Sequence, residues 1–307
     1  MKNKTYIIIL LIIIILYFLF YKYINTNLKI ENFENNSINT VCVVWNNKIN
    51  NKAIHGFGDK LRGAIYLYRY FKNLNKNIKI VVDGSHDICG DILINVTTSF
   101  SEKIKTANIN YIFDSVEHIF PDISDIFIEE DNVIYIYTNF VLDNKELSDE
   151  EKEFAKFISE PKDNIKNEIT NKLNKIPNIF TIKHFRFNDT VLKHDIDITD
   201  STFSKFFEIL KKNYKDTDIL FTNSNNFTKY ANQKLNIKFI DCNNEICKVG
   251  HIGESNEYDS VKNSFIEFYI IGKSKMIHSY TVYGWPSNFV YWTAKIYNIP
   301  FESIENL

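Results

Sequence analysis

Twice along this chain, short β-branched runs alternate with amphipathic helical segments, and that repeated alternation restricts the fold more than any other feature of the sequence. In the first series "TVCVVW" (Thr40–Trp45) reads as a strand. "GDKLRGAIYLYRYFKNL" follows as a helix, with Leu61, Ile65, Tyr68 and Phe71 at helical spacing, and "NIKIVVDG" as a second strand closed by Gly84. "NVIYIYTNFV" is a further strand, and "LSDEEKEFAKFISEPKDNIKNEITNKLNKI" is helical, capped by Ser148 and broken at Pro161. A second series starts after Pro177 with the strand "NIFTIKHFRF" and the helix "STFSKFFEILKKNY", whose Phe203, Phe206, Phe207 and Leu210 share a face. The strand "DILFTNS", helix "NNFTKYANQKL", strand "IKFID", helix "NSFIEFYIIGKS", strand "KMIHS" and a last helix "PSNFVYWTAKIY", opened by Pro286, complete it. The expectation is an α/β protein of two doubly wound domains, 40–176 and 177–307, facing each other across a cleft. The length of 307 residues, 45% of them hydrophobic, suits one large or two medium domains.

Ahead of the first strand lies "TYIIILLIIIILYFLFYKYI" (Thr5–Ile24), apolar apart from Lys22. About 20 helical residues cross a bilayer core of about 30 Å. With Lys2 and Lys4 on the early flank, the positive-inside rule leaves residues 1–4 as a cytoplasmic tail and makes 5–24 a type II transmembrane signal anchor. Residues 25–39 then form a stem, and the bulk of the chain is lumenal (ER- or Golgi-like) or exoplasmic; a cleaved signal peptide is the alternative. In that compartment disulfides are allowed among Cys42, Cys89, Cys242 and Cys247. Cys242 and Cys247 are spaced for a local bridge, and with His251 they also form a C-x4-C-x3-H cluster one ligand short of a tetrahedral zinc site. A net charge of −2 gives no electrostatic case for nucleic acid, so any anion must be held by local chemistry.

Three stretches supply such chemistry. "HGFGDKLRGA" places Gly56 and Gly58 just before a helix, where bare backbone N–H groups meet an anion, with Asp59, Lys60 and Arg62 crowded at the same helix start. It is neither a dinucleotide fingerprint, for which Leu61 would be glycine, nor a Walker loop, because Ala64 and Ile65 replace the Lys and Ser/Thr. "KHFRFND" puts His184, Arg186 and Asn188 on one side of an ending strand and Phe185 and Phe187 on the other. Arg186 then either projects into the cleft or spends itself on an internal ion pair with Asp189 or Asp195. "GWPSNF" offers Ser287 and a positive helix N-terminus, which suits a phosphate. The aromatic residues Trp285, Phe289, Tyr291 and Trp292 read as core rather than as a stacking platform.

These stations, in this order, resemble the GDP-fucose-dependent fucosyltransferases, in particular the protein O-fucosyltransferase and α1,6-fucosyltransferase group. "GFGDKLR" is similar to that family's "GxGN/D-x-LR" loop, "HFRFND" to its "HxRxxD" motif, and "FIEFYIIGKSKMIHSY…PSNF" to its acidic-helix, strand and "SSF" element. The resemblance implies two facing Rossmann-like domains of GT-B type, the first on the acceptor side and the second on the nucleotide-sugar side. It implies that Arg186 holds the β-phosphate, that Glu267 faces the nucleotide side of the pocket, and that Ser287, Asn288 and Phe289 wrap the phosphates. The chain departs from the pattern where Phe187 replaces a second arginine, where Asn288 replaces the second serine of "SSF", and in the longer loop "YTVYGW".

The expected function is a membrane-anchored, metal-independent inverting glycosyltransferase. Its partners would be a nucleotide sugar, GDP-fucose, as donor substrate and a glycan or glycoprotein as acceptor, with no separate cofactor. A fixed guanidinium and a helix N-terminus stabilise the charge that grows on a leaving phosphate. The D-x-D strings Asp195–Asp197 and Asp216–Asp218 read as solvated loop acids rather than a metal site. Asp59 is the first candidate for the base that takes the acceptor proton and His55 the second, although Asp59 serves equally as a helix cap. A lectin-like or structural protein that keeps the fold without turnover, and a transferase using another nucleotide sugar, are the alternatives.

Overall fold

The strand β1 (Thr40–Val44) is a continuous β-branched run whose last four residues are all buried. A strand apolar on both faces has to lie inside a parallel sheet covered on both sides. It does: β1 pairs in parallel with β2 (Lys79–Asp83), Thr40 opposite Lys79, and on its other edge with β5 (Val133–Ile136). The short β3 (Val96–Thr97) extends the sheet in parallel and β4 (Glu129–Glu130) closes it antiparallel, giving the order β3-β2-β1-β5-β4. The structure is a computed structural model that describes residues 40–45, 56–73, 79–84, 88–97, 129–130, 133–136, 146–242, 245–252, 255 and 257–307. The expected anchor and stem, and His55, lie outside the described residues. Among the described residues no helix is long and apolar enough to cross a membrane.

Helix α1 (Phe57–Asn73) follows β1, and the short α2 (Cys89–Ile92) lies between β2 and β3. The acidic stretch after Leu147 splits at Pro161 into α3 (Asp149–Ile158) and α4 (Asp163–Leu173). Ser148 caps α3 with a full capping box: Glu151 N donates to Ser148 Oγ at 3.2 Å, and Ser148 N donates to Glu151 Oε2 at 2.7 Å. Glu151 also pairs with Arg69, which ties α3 to α1.

The second sheet is built on β6 (Thr181–Arg186). It runs β12-β11-β6-β7-β8, with β7 (Asp218–Thr222), β8 (Lys238–Phe239), β11 (Met276–Thr281) and β12 (Phe301–Ile304), and every pairing is parallel. From β6 the chain steps outward through α5 (Ser201–Asn213), β7, α6 (Asn225–Leu235) and β8, then returns to the opposite edge of β6 through α7 (Tyr258–Ile271) and β11. Strand order therefore reverses between β6 and β11, and the carboxyl ends of those two strands open onto a crevice.

Several elements differ from the sequence reading. β12 lies in the tail after the last helix. α7 begins at Tyr258, five residues before "NSFIEF". The last helix, α8 (Asn288–Tyr297), starts after an N-cap at Ser287, so Pro286 sits ahead of the helix rather than in its first turn. A hairpin of β9 (Asp241–Cys242) and β10 (Glu245–Ile246) follows β8 and is closed by a Cys242–Cys247 disulfide, while Cys42 and Cys89 are buried free thiols. The acids of the D-x-D strings are not all solvated loop groups: Asp218 is buried at the start of β7, 3.8 Å from Lys183 Nζ.

Helices α7 and α8 belong to the second series but pack against α4, α1 and α3. The main apolar cluster consequently draws on both halves, from Val41, Val43 and Leu61 to Ile182, Val290 and Ile296. Phe57, the first residue of α1, is its hinge point: its ring meets Trp45 at 5.7 Å, Phe265 at 4.6 Å and Phe268 at 5.0 Å. A second cluster, with Phe185, Phe187, Phe203, Phe206 and Phe227, covers the other face of the second sheet.

Candidate active site

A cavity of about 290 Å³ opens where the carboxyl end of β6 faces the amino ends of α1 and α8. Its wall contains Gly56, Gly58, Asp59, His184, Arg186, Glu267, Ser287, Asn288 and Phe289, so these residues lie around one space, while Lys60, Arg62 and Asn188 are not part of the wall.

The end of β6 aims the cation. Phe185 and Phe187 are buried in the second aromatic cluster, which by the two-residue period sends His184 and Arg186 to the cavity side. The strand stops at Arg186, so the period no longer places Asn188, which is exposed and is the N-cap of a short 3-10 turn, Asp189–Leu192. Asn223, the polar residue after β7, braces this strand end. Its Oδ1 accepts from Phe187 N at 2.9 Å, and its Nδ2 donates to Phe187 O and Asn188 O at 3.3 and 3.2 Å.

Arg186 both lines the cavity and forms an ion pair with Asp189 through Nη2. Asp195, the other partner considered, accepts from Ser224 Oγ at 2.6 Å and Asn226 N at 2.8 Å instead. Asp189 is shared: its Oδ2 accepts from Tyr283 Oη at 3.0 Å and its backbone N–H donates to the same oxygen at 3.0 Å. An arginine carries five N–H donors, and the described residues engage only the Nη2 end of this one. The rest of the fork is available to a bidentate oxyanion.

Two helix N-termini face the same space, and each contributes donors without an intrahelical partner and a partial positive charge. At α8 the Ser287 side chain makes no capping bond, and Ser287, Asn288 and Phe289 line the cavity. At α1 the glycines have tertiary reasons. A Cβ on Gly58 would lie 2.6 Å from both the carbonyl carbon and oxygen of Asn288, and a Cβ on Gly56 would lie 3.3 Å from His251 Nε2. The glycines thus let α8 and the 249–252 segment approach α1. Asp59, just inside α1, accepts from Asn288 Nδ2 at 2.9 Å and pairs with Arg62 Nη2 at 3.0 Å.

Two titratable groups in the wall are neutral near pH 7. His184 is buried, with Nδ1 3.2 Å from Ser279 Oγ, and burial together with the Arg186 charge holds its pKa down to about 3. Glu267 lines the cavity from α7, partly exposed to it, and accepts no hydrogen bond from the described residues. Desolvation pushes its pKa up to about 8, an effect that the Lys172 ammonium offsets only in part. The native protein therefore binds a proton at Glu267 that the unfolded chain releases near pH 4.5, and stability contributed by this site is lost as pH rises from about 4.5 to about 8. His184 acts in the opposite sense, because the unfolded chain takes up a proton below pH 6.5 that the native imidazole refuses down to about 3. Thermal melts of the Glu267→Gln variant should isolate the first effect. The variant gains on wild type steadily between pH 5 and 8, and a constant difference across that range would show that Glu267 titrates normally.

The sequence reading missed Tyr283, Trp285, Asn223, Ser264 and the 249–252 segment as wall residues. Trp285, read as core, is 60% exposed at the rim. Asn223 was signalled only as the polar end of a short buried strand, and His251 only through its spacing from the cysteines. Among the described residues no group of three His, Cys, Asp or Glu side chains is placed to hold a metal ion.

No family profile and no curated protein matches the chain. Among solved structures, it is similar to the NodZ alpha-1,6-fucosyltransferase co-crystallized with GDP, at 12% identity and a TM-score of 0.49, over 84% of this chain and 92% of that one. It is similar to fucosyltransferase NodZ from Bradyrhizobium at 11% identity and a TM-score of 0.49, over 84% and 93% of the two chains. It is also similar to POFUT1 in complex with GDP, at 8% identity and a TM-score of 0.45, over 88% and 98%.

Proposed function

We propose that the protein is a glycosyltransferase that takes GDP-fucose and transfers fucose, with inversion, to a hydroxyl of a glycan or protein. The observation that carries this reading is convergence. The "GFGDKLR" loop, the "HFRFND" strand end and the "FIEF…PSNF" element, far apart in sequence, bring their polar groups to one cavity. In this reading the bond from the anomeric carbon to the β-phosphate oxygen breaks, and the charge left on the diphosphate is met by the open fork of Arg186 and by the N–H groups at the start of α8. Those groups are positioned before reaction, so no divalent metal is needed for the leaving group.

The acceptor hydroxyl attacks from the opposite face of the sugar and passes its proton to a base. Asp59 remains the first candidate and His55 the second. Held by Arg62 and Asn288, Asp59 is a fixed carboxylate in the cavity wall. Thr5–Ile24 is proposed as the anchor that holds the folded part on the lumenal or exoplasmic side of a membrane. The domain division at residue 176 is likewise a proposal.

One observation favours a second reading. Both the phosphate clamp and the candidate base have carboxylate or guanidinium partners within the fold, Arg186 with Asp189 and Asp59 with Arg62. A protein that only binds a sugar nucleotide or glycan would look the same. A screen of donor hydrolysis and transfer with GDP-, UDP- and CMP-sugars in the presence of EDTA separates the readings. Release of GDP from GDP-fucose with EDTA present is the expected result. Protection by GDP in thermal melts without turnover of any donor supports the second reading, and turnover of a UDP- or CMP-sugar alone would replace the donor.

A further inference from the structure

The chain has three tryptophans, and two of them, Trp45 and Trp292, are buried at 1% and 4% exposure. Trp285 is 60% exposed and forms part of the cavity rim. Other large apolar side chains are exposed too, such as Phe157 and Ile179, but among the described residues Trp285 is the one of them that lines the cavity.

Its setting is rigid. The ring is stacked on Tyr283 with centroids 5.3 Å apart and planes 19° apart. Tyr283 is fixed from both sides of its hydroxyl by Asp189, at 3.0 Å each. The loop backbone is pinned by the C-terminal residues, since Asn306 N donates to Tyr283 O at 2.9 Å and Leu307 N to Thr281 O at 3.1 Å. Ordering an exposed aromatic through a neighbour's hydroxyl and the chain terminus gives a flat apolar surface whose orientation is set before any ligand arrives.

The contacts run in a chain, Arg186 to Asp189 to Tyr283 to Trp285. The platform therefore shares one cavity wall with the group assigned to the phosphate, with Asp189 and Tyr283 between the two. The same cavity wall carries hydrogen-bonding groups, the exposed Asp189 carboxylate and Thr222. An apolar plane edged by such groups matches a pyranose, whose axial C–H bonds form an apolar face and whose equatorial hydroxyls point outward from it. A peptide serine or threonine offers no such face.

We propose that Trp285, braced by Tyr283, stacks on the pyranose ring of the acceptor, so that the acceptor is a neutral carbohydrate rather than a peptide. This rests on the sugar-nucleotide reading of the cavity, and the experiment keeps the two apart. Because Trp285 is the exposed indole, acrylamide quenching of tryptophan emission reports on it in the intact protein. The probes are methyl β-D-glucopyranoside, methyl β-D-galactopyranoside, methyl N-acetyl-β-D-glucosaminide, a Ser/Thr-containing peptide and GDP. At least one pyranoside should shield the emission in wild type and lose that effect in Trp285→Ala. In transfer assays the acceptor KM should rise about ten- to hundredfold in Trp285→Ala, the scale of stacking on an aromatic ring. Trp285→Phe should recover part of the loss, and GDP protection in thermal melts should persist in both variants. Shielding by GDP alone would make the platform a nucleobase site, and shielding by the peptide alone would make the acceptor a peptide. No shielding together with an unchanged KM would leave Trp285 without a binding role; each of these three results overturns the proposal. Pyranoside shielding in a protein that neither binds GDP nor turns over a donor would keep the platform and remove the transferase.

Discussion

Replacing Arg186 with alanine should lower sugar-nucleotide turnover about 10²- to 10³-fold, and lysine at that position should not restore it. The size follows from the role. A preorganised donor aimed at charge that develops in the transition state is worth roughly 3 to 4 kcal/mol, and each ~1.4 kcal/mol is a factor of ten. Lysine fails for a geometric reason: a point charge with Asp189 beside it would be drawn into that single ion pair, whereas the guanidinium pairs with Asp189 through Nη2 and keeps the remaining donors for a phosphate. Steady-state kinetics on Arg186→Ala, Arg186→Lys and Asp189→Asn check this. If the arginine only served the ion pair, the alanine and asparagine variants would show the same small loss. The expected pattern is a large loss for both arginine variants and a smaller one for Asp189→Asn, whose change leaves the fork in place.

Gly58→Ala should destabilise the fold, by about 1 to 3 kcal/mol, and should impair turnover as well. On helix propensity alone the substitution would be favourable by up to ~1 kcal/mol, because glycine inside a helix leaves more backbone entropy to lose. At this position the added methyl would stand 2.6 Å from the backbone of Asn288, which cannot rotate away as a side chain would. The relief available is to part α1 from α8. That movement draws Asn288 from Asp59 and shifts both helix N-termini around the cavity, and a misplacement near 1 Å can cost about a hundredfold in rate. Thermal melts and turnover assays should decline together. A more stable Gly58→Ala protein would show that the two helices are not in the close contact described.

Much of the architecture could be read along the chain because its signals are local. Buried parallel strands announce themselves as β-branched runs, as in Thr40–Val44, and Ser148 with Glu151 marks a helix start by chemistry confined to one turn. β12 carries no such signal: its residues alternate between half-buried and exposed, and only parallel pairing with β11 makes it a strand. The β9–β10 hairpin is equally silent apart from its cysteines, since two-residue strands have no period to detect.

The site divides in the same way. The period of β6 puts Arg186 and His184 on the cavity side, and Gly56 and Gly58 stand out as glycines at a helix start. Their reasons were not readable, because His251 and Asn288 reach Gly56 and Gly58 from far along the sequence. The partner of Arg186 could be narrowed to Asp189 or Asp195 by proximity, and the choice fell to the anchoring of Asp195 by Ser224 and Asn226. The core reading of Trp285 fails because no local signal marks its exposure. Its exposure comes from a loop path fixed by Asp189 and the last residues of the chain.

Calorimetric titration of GDP into wild-type and Arg186→Lys protein, in EDTA, tests most directly whether this cavity is a nucleoside-diphosphate site. One-to-one binding in wild type, weakened at least about tenfold in the variant, is the expected result, with a matching stabilisation of about 2.7 kcal/mol when GDP reaches a hundred times its Kd. No binding to the folded wild-type protein, or equal affinity in the two, would contradict it.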